Sequence, residues 1–167
     1  MTIREIRPED VSSVCQIYNH YIENTVVTFE ETAVAENDMS RRIDDIRRCY
    51  PFFIAESGNE ILGYAYGSRW MERAAYRWSA ETTVYLKKSA VHRGVGTGLY
   101  SRLITDLVHR DLHTAIGIIA LPNDASVALH EKFGFKKTGH FHEVGRKFNR
   151  WIDVGYWELQ LKSVKTH

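Results

Sequence analysis

Three glycines at alternate positions, Gly94, Gly96 and Gly98, are the residues whose type and spacing point most directly to chemistry. They belong to Val84–Tyr100, VYLKKSAVHRGVGTGLY, where an apolar strand ending (Val84, Tyr85, Leu86) meets a short basic loop. Beyond them Val95, Leu99, Leu103 and Leu107 recur every four residues, the period of a helix with one buried face. A strand, a glycine turn and a helix start together make an anion site. The first helical N–H groups lack intrahelical partners, and the helix dipole is positive at that end. Glycine also lets a phosphate come close to the backbone. Spacing excludes two nucleotide motifs. A P-loop needs Gly-Lys-Ser/Thr, but Gly98 is followed by Leu99, and the dinucleotide fingerprint needs a glycine at that same position 99. A tight turn without a ligand stays open on this stretch alone.

Other reactive side chains read less sharply by themselves. Arg73, Tyr76 and Arg77 form a loop just before the strand that carries Glu81. An arginine fork suits a carboxylate, and a solvated basic loop is the plain alternative. Glu81 alone reads as a solvent-facing strand residue, and His130 as a helix histidine bonded to a neighbour. Phe29, Trp78 and Tyr85 either wall a small pocket or fill core. His140 and His142 share a strand face, but no third ligand or HExxH pattern accompanies them, so no metal is expected. Cys15 falls inside an apolar helical stripe and Cys49 just before Pro51, which gives no support to cysteine catalysis.

The elements that must hold these residues follow from periodicity. Thr2–Arg7 is a short strand. Pro8 opens a helix with Val11, Val14, Cys15, Tyr18 and Ile22 on one face. Thr25–Phe29 is extended, and Glu36–Cys49 is a second helix with Met39, Ile43 and Ile46 inward. Phe52–Glu56 and Glu60–Trp70 are strands joined at Ser57-Gly58-Asn59. Trp78–Leu86 is the next strand, followed by the glycine-turn helix to about Arg110. Ala115–Leu121, AIGIIAL, is a continuous apolar run, hence a strand covered on both faces. Asn123 or Asp124 caps a helix that ends at Gly134, and Phe135–Val144 and Trp151–Leu161 are the last strands. The order gives an α+β domain, a mixed central sheet flanked by helices, in one unit spanning 1–167.

Composition narrows the function. A net charge of +1 argues against a general nucleic-acid binder. No apolar run reaches membrane-spanning length, and MTIREIRPED has no signal core, so a cytoplasmic protein is expected. Two cysteines without paired spacing fit a reducing compartment.

With AETTVYL, HRGVGTGLY, ALPNDASVALHEKFGF and RWIDVGYWELQL in place, the chain resembles the GNAT superfamily of acyl-coenzyme A dependent N-acyltransferases. Within it, the phosphinothricin and methionine sulfoximine acetyltransferases are the most similar, and VCQIYNHYIENTVVTF extends the likeness over nearly the whole chain. The resemblance implies acetyl-CoA as cosubstrate. Val84, Tyr85 and Leu86 would pair with its pantetheine arm. The turn His92, Arg93, Gly94, Val95, Gly96 and Thr97 would hold its pyrophosphate, and Asn123 would contact the pantetheine. One departure is Val91, where the superfamily pattern has Gln or Arg.

The implied reaction moves an acetyl group from a thioester to an amine. An α-ammonium with a pKa of about 8 must lose a proton first. The resemblance makes Glu81 the general base and His130 a proton-transfer residue of unassigned direction. It makes the substrate a small amino acid, its carboxylate met by Arg73, Tyr76 or Arg77, and it implies a homodimer. The aromatic-rich RWIDVGYWEL, more than one edge strand needs, also points to a dimer. An acyl-CoA-binding sensor or scaffold, and an acetyltransferase of protein amines, are the competing functions.

Overall fold

The computed structural model describes residues 1–161. The elements run β1 (Thr2–Glu5), a 3₁₀ turn (Pro8–Asp10), α1 (Val11–Asn24), α2 (Glu36–Arg47), β2 (Phe52–Ser57) and β3 (Glu60–Arg69). Then come β4 (Ser79–Leu86), α3 (Val95–His109), β5 (Thr114–Leu121), α4 (Asp124–Lys132), β6 (Lys136–Lys147) and β7 (Arg150–Gln160). The seven strands make one sheet in the order β1-β2-β3-β4-β5-β7-β6.

Alternating side chains divide the sheet between two helical layers. Phe53 and Ala55 of β2 pack with Leu99, Leu103 and Leu107 of α3, while Phe52 and Ile54 pack with Val14, Ile22, Met39 and Ile43 of α1 and α2. Each fully buried leucine of α3 contributes about 1.5–3 kcal/mol of burial. At the entry to α1, Arg4 donates to both Asp10 oxygens at 2.7 and 2.9 Å and to Glu56 Oε2 at 2.7 Å. Asp10 is only 4 % exposed, so this fork ties the first strand, the first helix and β2 together. Among the described residues no helix is long and apolar enough to cross a membrane.

One pairing positions the site. Among the described residues β4 and β5 are the only parallel neighbours, because α3 crosses between them. They pair only over Ser79–Glu81 and Thr114–Ile116. β4 nevertheless stays bonded to β3 as far as Leu86, and β5 to β7 as far as Leu121. Past Glu81 the two strands therefore splay into a wedge, whose inner edges carry backbone groups that no neighbouring strand takes up. Such groups must find a partner, from solvent or from a ligand.

The expected elements are present, with adjusted ends. Thr25–Phe29 takes no place in the sheet and forms a series of bends. The loop after β3 contains a 3₁₀ turn over Ala74–Trp78, so β4 starts at Ser79. β5 is not covered throughout: Ile118 is 37 % exposed, because its side of the strand faces the wedge.

Candidate active site

The wedge opens into a hollow of about 310 Å³ lined by Glu81, Thr83 and Tyr85 from β4, Ile118 from β5, and Asn123 and His130. Phe29 and Thr28 reach it from the bend after α1. A larger hollow, about 530 Å³, lies between α1 and the ends of β3 and β4 and contains neither Glu81 nor His130.

Glu81 stands at the vertex, opposite Ile116 in the last β4–β5 pair. Burial pushes its pKa above the usual glutamate value. No hydrogen bond or ion pair from a described residue offsets that cost. Charge on Glu81 in turn helps to raise Tyr66, pushed up to about 12 chiefly by burial. A carboxylate that is poorly solvated and uncommitted to a partner is a stronger base than a surface one. The tyrosines beside it are held elsewhere. Tyr18 bonds Thr28 Oγ1 at 2.9 Å and also donates to Glu30, which Arg42 grips at 2.7 and 2.8 Å.

The opposite face is built differently. His130 is 3 % exposed, with Nδ1 2.7 Å from the carbonyl oxygen of Ser126 and Nε2 2.7 Å from the Tyr100 hydroxyl. A carbonyl only accepts, so Nδ1 carries the proton. Burial holds the ring below the usual histidine range and favours its neutral form. Nε2 is then bare and faces the Tyr100 hydroxyl as an acceptor. Tyr100 has a second partner, Thr82 Oγ1 at 2.9 Å, and Thr82 reaches the carbonyl of Ile116 at 3.2 Å across the wedge vertex. Protonating His130 would turn the Tyr100 proton toward Thr82. Both imidazole nitrogens are thus engaged inside the chain, a more structural placement than a free proton-transfer group would have.

The glycine turn sits at the open end of β4. His92 and Gly94 take positive φ, 61° and 77°, and α3 begins at Val95. Gly98 N–H to Gly94 carbonyl, 3.0 Å, is the first α-helical bond, so the N–H groups of Val95, Gly96 and Thr97 have no partner within the helix. Lys132 of α4 places its ammonium 3.3 Å from Thr97 Oγ1, adding positive charge. Arg93 is exposed beside them. Asn123 is the cap of α4, its Oδ1 accepting from Ser126 N–H at 3.1 Å, which leaves its amide nitrogen for the hollow.

Other expected residues lie apart. Arg73 and Arg77 line a separate hollow of about 320 Å³ with Arg69, Tyr50 and Arg110. Tyr76 packs edge-on against Trp70 and is 40 % exposed. Trp78, half exposed under the Arg77 guanidinium, does not wall the wedge, whereas Phe29 and Tyr85 do. Within one chain, then, the arginine loop and Glu81 do not share a pocket, because the 3₁₀ turn carries the loop away before β4 starts. His140 and His142 do have a third potential ligand, Asp153 on β7, which their spacing along β6 does not reveal. Thr82 and Tyr100 carry no signal in the sequence that singles them out. Gly117 is equally silent, yet a Cβ at that position would lie 2.4 Å from His130 Nε2.

A mixed sheet split at one parallel pair, with a carboxylate at the vertex and a glycine turn beyond the end of β4, is the arrangement that the resemblance to acyl-coenzyme A dependent transferases implies. Residues 3–155 match the family model described as Acetyltransferase (GNAT) domain, and the chain belongs to that family. It is 41 % identical to the phosphinothricin N-acetyltransferase of Streptomyces coelicolor, covering 94 % of this chain and 96 % of the relative. It is 30 % identical to the L-methionine sulfoximine/L-methionine sulfone acetyltransferase of Pseudomonas aeruginosa, covering 99 % and 97 %. The structure of a phosphinothricin acetyltransferase from Sinorhizobium meliloti in complex with AcCoA is similar at a TM-score of 0.93 and 32 % identity, over 95 % of this chain and 87 % of that one. A ribosomal-protein-alanine N-acetyltransferase from Brucella melitensis has the same TM-score, 0.93, at 31 % identity, over 96 % and 99 %.

Proposed function

We propose that the chain transfers the acetyl group of acetyl-CoA to the α-amino group of a small amino acid of the phosphinothricin or methionine sulfoximine kind. The observation that carries this reading is the wedge with Glu81 at its vertex, lined by both β4 and Asn123, with the glycine turn following β4 in the chain. The inner edge of β4 at Val84, Tyr85 and Leu86 offers the extended pantetheine a strand to pair with. The N–H groups from His92 to Thr97, with Arg93 nearby, take the diphosphate, and Asn123 holds the arm from the other side. Val91 does not alter this, because the turn binds through backbone.

Glu81 accepts the proton of the substrate ammonium, directly or through one water. The freed amine nitrogen attacks the thioester carbon, and a C–N bond forms. An N–H on the inner edge of β4 faces the oxyanion. The C–S bond then breaks, its electron pair leaves on the coenzyme sulfur, and the second proton, shed by the attacking nitrogen, passes through water to that sulfur. His130 acts in this reading as a positioning residue, fixing α4 and thereby Asn123 through its bonds to Ser126 and Tyr100.

The substrate carboxylate meets Arg73 or Arg77, with Tyr76 beside them. Because these line another hollow in the single chain, the reading includes a homodimer that brings a second copy's loop to the wedge. Phe141 on β6, Phe148 in the turn after it and Trp151 on β7, each more than half exposed, supply an apolar face for that contact. The working unit is one domain, 1–167, in the cytoplasm; residues 162–167 lie outside the described part. A second reading, acetylation of a protein N-terminus, draws on the likeness to the ribosomal-protein-alanine enzyme.

The test is release of free thiol from acetyl-CoA with a panel of amines. Phosphinothricin and methionine sulfoximine lead the panel, followed by methionine derivatives and an alanine-starting peptide. Fast release with the amino acids and slow release with the peptide supports the proposal. The reverse order would favour the second reading, and coenzyme binding without release would make the chain a sensor.

A further inference from the structure

His140 and His142 stand two residues apart on β6, and Asp153 meets them from β7, with one ligand atom of each within 4.8 Å of the others. The register explains the encounter. Phe141 pairs with Val154 and Gly145 with Ile152, so three residues, His142, Glu143 and Val144, stand opposite Asp153 alone. The bulge is folded around that carboxylate. Asp153 Oδ1 accepts the Glu143 N–H at 2.8 Å, and Oδ2 lies 2.8 Å from His140 Nε2. Glu143 takes a φ of 51° there, a conformation uncommon outside glycine. The two imidazole rings lie stacked, 4.4 Å between centroids.

We propose that His140, His142 and Asp153 form a site for one borderline divalent transition-metal ion, zinc in the first instance, that fastens the β6 bulge to β7. Two imidazoles and a carboxylate suit such an ion and leave a position for water, whereas magnesium and calcium prefer oxygen ligands throughout. The site lies outside the wedge lining and takes no part in acetyl transfer. Some regrouping is needed. Ligands about 2.0–2.2 Å from a tetrahedral ion stand about 3.4 Å apart, so the 2.8 Å gap between His140 and Asp153 opens by about half an ångström, and a pair at the 4.8 Å limit closes by about 1.4 Å.

Lys137 is the competitor. Its Nζ lies 2.9 Å from His140 Nδ1. An ammonium only donates, so Nδ1 is bare and Nε2 carries the proton that faces Asp153. Metal at Nε2 requires that proton to move to Nδ1, which ends the lysine bond. The Lys137 ammonium at the same time lies over the Trp157 ring at 5.3 Å, a contact that does not depend on the imidazole.

The experiment uses tag-free, chelator-treated protein and zinc chloride, followed by calorimetry and by thermal denaturation. One ion per chain is expected, together with a rise in melting temperature. His142→Asn is the informative variant, since His142 makes no hydrogen bond among the described residues and its loss leaves the bulge intact. It should weaken zinc binding by about tenfold or more and abolish the thermal shift. Lys137→Met should tighten binding severalfold. Failure of the parent to bind at millimolar zinc, or equal binding by parent and His142→Asn, would overturn the site. Weaker binding by Lys137→Met would overturn the competition.

Discussion

Gly117→Ala tests the arrangement on the α4 side of the wedge. A Cβ at this position would stand 2.4 Å from His130 Nε2 and 2.5 Å from Cδ2, where ordinary contact begins at 3.4 Å. The ring must withdraw by about 1 Å, and it is held at both nitrogens by bonds of 2.7 Å. Overpacking of this kind costs about 1–3 kcal/mol, and a lost neutral hydrogen bond adds about 1 kcal/mol. For a chain of this size that lowers the melting temperature by about 4–16 °C. Because α4 moves with His130, the KM for acetyl-CoA should rise while the KM for the amine changes less. Thermal denaturation and two-substrate kinetics read both effects. The decisive comparison is a double-mutant cycle. In a His130→Ala background the added methyl has no ring to meet, and Gly117→Ala should then be nearly neutral. Equal destabilisation in both backgrounds would refute the contact. A single variant that melts and binds coenzyme like the parent would refute the whole arrangement.

Gly94→Val forces a β-branched side chain to a φ of 77°, and it should raise the Kd for acetyl-CoA and cost about 1–3 kcal/mol of backbone strain, although no atom lies within 4 Å of the new Cβ. Unaltered affinity by calorimetry would place the diphosphate elsewhere. Arg4→Met strands a nearly buried Asp10 and should cost about 3–5 kcal/mol in urea denaturation at neutral pH. Burial works against the Asp10 charge, but the Arg4 and Arg7 bonds prevail and hold its pKa below the usual value. That stability is present above the unfolded carboxyl pKa of about 3.9 and is lost as pH falls through the folded value, so the gap between parent and variant should narrow in acid. A gap independent of pH would remove Asp10 from the account. Arg73→Ala and Arg77→Ala should raise the KM for the amino acid and leave that for acetyl-CoA; parent-like values in both would assign the carboxylate to another group.

What could be read in the sequence was local. Period-four leucines located α3, the Ser57-Gly58-Asn59 turn separated β2 from β3, and the cap of α4 was narrowed to Asn123 or Asp124, because each signal is local in the chain. What could not be read depends on register between strands far apart in sequence. The end of β4–β5 pairing at Glu81 and Ile116 creates the wedge, yet neither residue type announces it. Ile118 looked like core and is partly exposed, since a strand beside a cleft needs apolar residues on the ligand side too. Tyr100 and Thr82 share a hydrogen-bond chain with His130 that no local pattern announces, because it is assembled from α3, β4 and α4. Asp153 joins His140 only because β7 lies beside β6 with a bulge between them. Glu81 and His130 were named through the family resemblance; spacing alone would have left both on a surface.

The central claim is that Glu81, buried at the vertex and with its pKa raised by that burial, takes the proton from the amine. Glu81→Gln keeps the shape and removes the base. Turnover and acetyl-CoA affinity should be measured together across the neutral range, with the best amino acid of the panel as acceptor. The parent's kcat/KM should climb with pH through the raised Glu81 pKa, as the carboxyl loses its proton. In Glu81→Gln that limb should disappear, and turnover should fall by about 100-fold or more with the Kd for acetyl-CoA nearly unchanged. A variant that turns over like the parent, with the same pH limb, would contradict the claim outright.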